Sequence, residues 1–121
     1  MMKIYINGRF LTQKLTGVQK YAYQFSMGLY ELFKNDVVVL VPKFSKLNKY
    51  YKNHYRIKRI GFNSGHMWEQ IDLPLYLRLC NNPILINFTN SGPLLYNNKF
   101  LTIHDLSIYE DTSWNTFVYR V

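Results

Sequence analysis

With 121 residues the chain has room for one domain, and its 48% hydrophobic and 17% aromatic content excludes a disordered polypeptide. The longest apolar runs, Val37 to Val41 and Ile84 to Phe88, fall far short of the ~20 residues that span a bilayer, and Met1 to Ile6 lacks the apolar core and cleavage site of a secretory leader. A lone cysteine, Cys80, suits a reducing compartment, so a cytoplasmic location is expected, and the net charge of +8 favours anionic partners.

Lys3 to Asn7 is short and β-rich and stops at Asn7-Gly8, which predicts a first strand. From Val18 the apolar residues Tyr21, Ala22, Phe25, Leu29, Leu32 and Phe33 follow helical spacing, and Thr16 with Gln19 forms a capping-box pattern, so a helix is predicted from about Gly17. Asp36 to Val41 reads as a strand buried on both faces of a parallel sheet, and Arg56 to Ile60 as a weaker strand. Trp68, Ile71, Leu75 and Leu79 predict a helix from about His66 to Cys80, kinked or split at Pro74. Ile84 to Phe88 and Phe100 to His104 are the next strands. The eleven residues Thr89 to Lys99 between them allow a compressed parallel crossover or a hairpin, and the polar loop after Phe88 favours the crossover. Trp114, Phe117, Val118 and Val121 stand at helical spacing, which predicts a last helix cut in mid-element. A half-sheet with an unfinished helix would leave apolar surface uncovered, so a fragment of a larger α/β protein is expected.

Three polar clusters stand where predicted strands end: Asn7-Gly8-Arg9, Thr89-Asn90-Ser91-Gly92 and His104-Asp105. In open parallel sheets the carboxyl ends of the strands form the ligand crevice, so these clusters mark a mouth. Thr16-Gly17-Val18 opens a helix with a glycine, where backbone N–H groups and the helix dipole favour an anion. Neither a dinucleotide fingerprint nor a phosphate-loop motif is present. His66 and Glu69 have metal-ligand spacing but no third ligand, Cys80 has no activating neighbourhood, and Ser91 and Ser107 lack a nucleophile-elbow context. Lys43, Lys46, Lys49, Lys52, Arg56, Lys58 and Arg59 supply seven of the fifteen basic residues, with no acidic residue from Pro42 to Gly61. Such a patch, with Tyr50, Tyr51 and Tyr55, fits an anionic membrane surface or phosphate backbone, or else a solvated edge that keeps the protein dispersed.

Asn7-Gly8-Arg9, Thr16 to Tyr21 (TGVQKY), Trp68-Glu69-Gln70 with Leu73-Pro74, Asn87 to Leu94 (NFTNSGPL) and Thr102 to Leu106 (TIHDL) together resemble the N-terminal domain of family 4 glycosyltransferases. These are retaining, nucleotide-sugar-dependent enzymes of the GT-B fold, and the bacterial group that builds surface polysaccharides is the most similar. The resemblance implies a Rossmann-like, mostly parallel sheet with flanking helices, forming a partial acceptor-side domain over residues 1–121. It implies a nucleotide-sugar donor, a glycan or lipid-linked acceptor at the inner membrane face, and no separate cofactor or metal. Thr16, Gly17, Val18, Asn90, Ser91 and Gly92 would lie at the substrate, and His104 would contact the transferring sugar. Asp105 could set the His104 tautomer, although successive strand residues face opposite sides. The donor-binding C-terminal domain is absent, so this chain alone is expected to transfer nothing. The competing reading is a non-catalytic module holding RNA or anionic glycan through residues 43–59; the lack of an RNP-type motif argues against nucleic acid.

Overall fold

The computed structural model describes residues 3–14, 16–48, 56–89, 92–105 and 115–120, and from residue 102 onward the backbone only. Six strands form one sheet: β1 Ile4–Asn7, β2 Val37–Pro42, β3 Ile57–Ile60, β4 Ile84–Asn87, β5 Lys99–Asp105 and β6 Asn115–Arg120. Their order is β3-β2-β1-β4-β5-β6, with the first five parallel and β6 antiparallel to β5. Residue alternation sorts the core into two layers. Ile6, Val37, Val39 and Val41 face one way, toward α1, Gly17–Phe33, together with Phe10, Leu11 and Ala22. Tyr5, Val38, Leu40 and Leu85 face the other way, toward Trp68 and α3, Leu73–Leu79, through Leu73 and Leu77. All six residues of β2 are buried, as an apolar run covered on both faces requires. The architecture is a Rossmann-like α/β sheet flanked by helices.

The second helical segment is interrupted as the proline predicts, although in the turn ahead of Pro74 and not at it. A short α2, Gly65–Met67, passes into a π turn, Trp68–Asp72, and then into α3. Pro74 at the start of α3 has no N–H to return to Gln70, so the preceding turn widens. The Leu73 N–H bonds the Trp68 carbonyl five residues back. The widened turn brings the consecutive side chains of Trp68 and Glu69 both inward, each fully buried.

The connection from β4 to β5 is the expected parallel crossover, with Leu85 opposite Lys99. Three other expectations are corrected. The capping box does not form: the Thr16 hydroxyl donates to Gln19 Oε1 and makes no backbone cap, while Gln19 Nε2 donates to Gln13 Oε1 at 2.8 Å. The apolar stripe of α1 is not all core: Phe25, Leu32 and Phe33 are exposed, whereas Ala22 and Ser26 are buried. The predicted last helix is β6, paired from Phe100↔Arg120 to Asp105↔Asn115. Thr116-Phe117-Val118-Tyr119 is an unbroken β-favouring run, and pairing with β5 satisfies backbone groups that β5 would otherwise leave open on that side. No helix among the described residues is long and apolar enough to cross a membrane.

Candidate functional site at the topological switch point

Chain order runs outward from the centre of the sheet in both directions, through β2 and β3 on one side and β4 and β5 on the other. The strands diverge between β1 and β4, where such sheets open a crevice at their carboxyl ends. Asn7 ends β1 and Asn87 ends β4, and both are buried. Asn7 Nδ2 donates to Asn87 Oδ1 at 2.9 Å and to Glu69 Oε2 at 2.9 Å. Asn7 Oδ1 accepts from the Arg9 backbone N–H at 3.2 Å, while Asn87 Nδ2 donates to the Phe100 carbonyl at 3.1 Å. Three strands are thereby tied to one carboxylate. Glu69 has no solvent exposure and is answered electrostatically by Arg9, whose Nη1 stands 3.4 Å from Glu69 Oε1. The same Nη1 donates to Nδ1 of the exposed His66 at 3.3 Å. A buried carboxylate with a cationic partner and an amide donor is the arrangement in which burial of the charge is tolerated.

The backbone around this cluster leaves little freedom. A Cβ on Gly8 would come within 2.5 Å of the Leu40 carbonyl oxygen and 2.6 Å of Val39 Cγ1, so only glycine lets the chain turn from β1 over β2. A Cβ on Gly92 would meet the Asn87 amide at 2.9 Å. Gln70 clamps the same loop, donating to the Gly92 carbonyl at 2.9 Å and accepting from the Leu94 N–H at 2.8 Å. The π turn is itself anchored on the end of β3: Trp68 Nε1 donates to the Ile60 carbonyl at 3.0 Å, and Asp72 Oδ2 accepts from the N–H groups of Phe62 and Asn63 at 3.0 and 2.7 Å.

The other expected site residues are distributed along this edge and beyond it. Thr16, Gly17 and Val18 open α1 at the carboxyl edge, where Gly17, Lys20, Tyr21 and Gln24 line a groove of about 320 Å³. Asn90 and Ser91 lie outside the described residues, as do Lys49, Lys52 and the three tyrosines between 49 and 56. Gly92 is buried beside Asn87. His104 and Asp105 end β5 at the same edge, opposite Thr116 and Asn115 of β6. Lys43 and Lys46 follow β2, and Arg59 Nη1 reaches the Ser45 carbonyl at 2.8 Å. Arg56 lies at the opposite end of β3, near the Asn35 carbonyl at 3.5 Å, and Lys58 Nζ stands 5.2 Å from the Tyr76 ring centroid. The described basic residues thus occupy both ends and both faces of an edge strand, a position that charged residues protect from edge pairing. No cluster of three metal-ligating side chains exists among the described residues, and His66 and Glu69 are joined through Arg9.

Sequence reasoning picks out the Asn7 to Arg9 turn but not the role of Glu69, which reads from the sequence as one end of a metal-ligand pair. The available signal is a carboxylate beside a tryptophan in a largely apolar helical stretch, five residues before a proline. Asn87 opens one of the motifs that carry the resemblance, but the sequence does not show its role as the amide that ties β4 to Asn7 and β5; its signal there is a lone amide ending an apolar strand. No protein-family model, curated protein or solved structure matches this chain.

Proposed function

We propose that the chain is the acceptor-side domain of a retaining glycosyltransferase of GT-B type, moving a sugar from a nucleotide-sugar donor to a glycan or lipid-linked acceptor. The observation that carries this reading is the switch-point crevice, where Asn7 to Arg9, His66 to Gln70, and Asn87 with Gly92 converge from three separate parts of the chain. The opening of α1 and the His104-Asp105 end of β5 occupy the same edge. In this reading the acceptor hydroxyl attacks the anomeric carbon as the nucleoside diphosphate departs. His104 holds a hydroxyl of the transferring sugar, and the N–H groups at the start of α1 face the developing negative charge. The donor-binding half of such an enzyme is not among these residues, so transfer is expected only when it is supplied.

The coding sequence downstream of the Val121 codon tests this. A continuation into a second α/β domain would give a protein that releases nucleoside diphosphate on transfer, and His104→Ala should lower its kcat by about 100-fold or more. Unchanged transfer by that variant would remove His104 from the mechanism. A stop codon with no complementary domain encoded nearby would end the transferase reading.

A second reading concerns the corner where β2 and β3 end. Phe44 and Phe62 are 72% and 80% exposed, and the Lys43 N–H bonds the Ile60 carbonyl at 3.0 Å, so the two loops are adjacent. We propose that Lys43, Lys46 and these rings make peripheral contact with an anionic membrane surface. Flotation with anionic vesicles should carry the protein upward and fail with neutral ones. Equal recovery with both would sink the idea, and retention on RNA with none on vesicles would favour a nucleic-acid module.

A further inference from the structure

The Arg9 guanidinium is held in place by contacts that leave most of its donors unspent. Its side chain is 13% exposed, and both of its side-chain contacts, to Glu69 at 3.4 Å and to His66 at 3.3 Å, are made by one nitrogen, Nη1. Nε and Nη2 have no partner among the described residues. A guanidinium carries five N–H donors in a planar fork, and donors withdrawn from water call for acceptors. An arginine serving only as a structural counter-ion would be expected to spend its fork on the carboxylate with two short parallel bonds. The single 3.4 Å contact to Glu69 is not that arrangement.

We propose that Arg9 is a receptor for an oxyanion, a phosphate or carboxylate borne by the ligand of the switch-point crevice, and that Glu69 is the residue that positions it. Glu69 lies beneath, wholly buried, and is itself fixed by Asn7 and by the π turn. It holds the guanidinium without occupying the outer fork. His66 supplies the second donor. Its Nδ1 accepts from Arg9, so the neutral ring carries its proton on Nε2, and the side chain is exposed. Arg9 is thus connected through Glu69 and Asn7 to both strands that flank the crevice, which fixes the receptor relative to the rest of the site.

This inference rests on the crevice being a ligand mouth and is independent of glycosyl transfer, so a binding measurement separates the two. Inorganic pyrophosphate and acetate would be titrated calorimetrically into the full chain at low salt, with Arg9→Gln, Arg9→Lys and Lys34→Gln compared. Lys34 is an exposed lysine at the far end of α1 and controls for net charge. Arg9→Gln should weaken binding about tenfold or more, and Lys34→Gln should change it by less than about twofold. Arg9→Lys, which keeps the charge beside Glu69 but loses the fork, should weaken it about threefold or more and serves if the glutamine variant does not fold. Preference for pyrophosphate would identify a phosphoryl ligand, and preference for acetate a carboxylate; either supports the receptor. Absence of binding by folded wild-type protein at about 20 mM anion, equal loss in Arg9→Gln and Lys34→Gln, or unchanged affinity in Arg9→Lys would overturn it.

Discussion

Glu69 is the residue on which the switch point depends, because its carboxylate is bonded to both Asn7 and Arg9 in a place water does not reach. Its removal would leave a largely buried guanidinium without its counter-charge and an Asn7 amide with one N–H unanswered, Asn87 still accepting the other. Glu69→Ala should therefore cost about 3–5 kcal/mol in urea unfolding, the range for deleting one partner of a buried pair. Glu69→Gln, which keeps an oxygen for Asn7, should cost less. If the alanine variant loses under about 1 kcal/mol, the network is solvated and Glu69 has no structural hold on Arg9. At this scale the sequence is legible where chemistry is marked by strand ends: Asn7 and Arg9 are visible because a β-rich run stops there. Glu69 is hidden because inward orientation of two consecutive helix residues follows from a π turn, and the sequence shows Pro74 but not how the helix yields to it.

At the scale of elements, periodicity gives the existence of helices but not the depth to which each face is buried. The stripe predicted for the second helix is mostly wrong in face: Trp68 is buried, but Ile71, Leu75 and Leu79 are exposed, and the residues that pack inward are Leu73 and Leu77, while Leu32 of the α1 stripe is 77% exposed. Leu77→Ala should cost about 2–5 kcal/mol, whereas Leu32→Lys should stay within about 0.5 kcal/mol. The urea midpoints of the two variants check this, and comparable losses would mean that α1 is packed more deeply than its exposure indicates. Tyr21, Phe25, Leu29 and Leu32 of α1, with Phe88 and Phe100, line an open apolar groove of about 670 Å³, which accounts for a stripe wider than the buried line. The last element is a strand and not the predicted helix for a related reason. Four apolar residues at helical spacing coincide with a consecutive β-favouring run, and the choice is settled by the presence of β5 as a pairing partner, a non-local fact.

Across the whole molecule the parallel sense of β1 to β5 was legible, because buried β-branched runs separated by a crossover admit few arrangements, whereas the strand order that places the site between β1 and β4 is seen only in the structure. The layer facing α3 holds a further property that no motif announces. Burial, reinforced by Cys80 and for Tyr5 also by Tyr76, pushes the phenols of Tyr5 and Tyr96 up from 10.0 to about 12. Lys99, with its Nζ 2.7 Å from the Tyr96 carbonyl, is held below its ordinary 10.5 by desolvation. Between its lowered native value and 10.5 Lys99 binds fewer protons in the folded state than in the unfolded one, so its contribution makes stability rise with pH through that window. The tyrosines act in the opposite sense: their stabilisation is complete below 10.0 and is lost as pH rises toward about 12. Lys58, raised by its hydrogen bond to Tyr76, adds to the loss above 10.5. Thermal midpoints measured from pH 7 upward should therefore climb into the alkaline range, pass a maximum near pH 10 and then fall. Lys99→Met should flatten the climb and Tyr96→Phe should soften the fall, since each removes one titrating group while largely keeping the side-chain volume, and the ring at position 96 stays in the core layer of Tyr5 and Leu85. A climb as steep in Lys99→Met as in the wild type would assign the alkaline gain to other groups and show that burial does not lower Lys99.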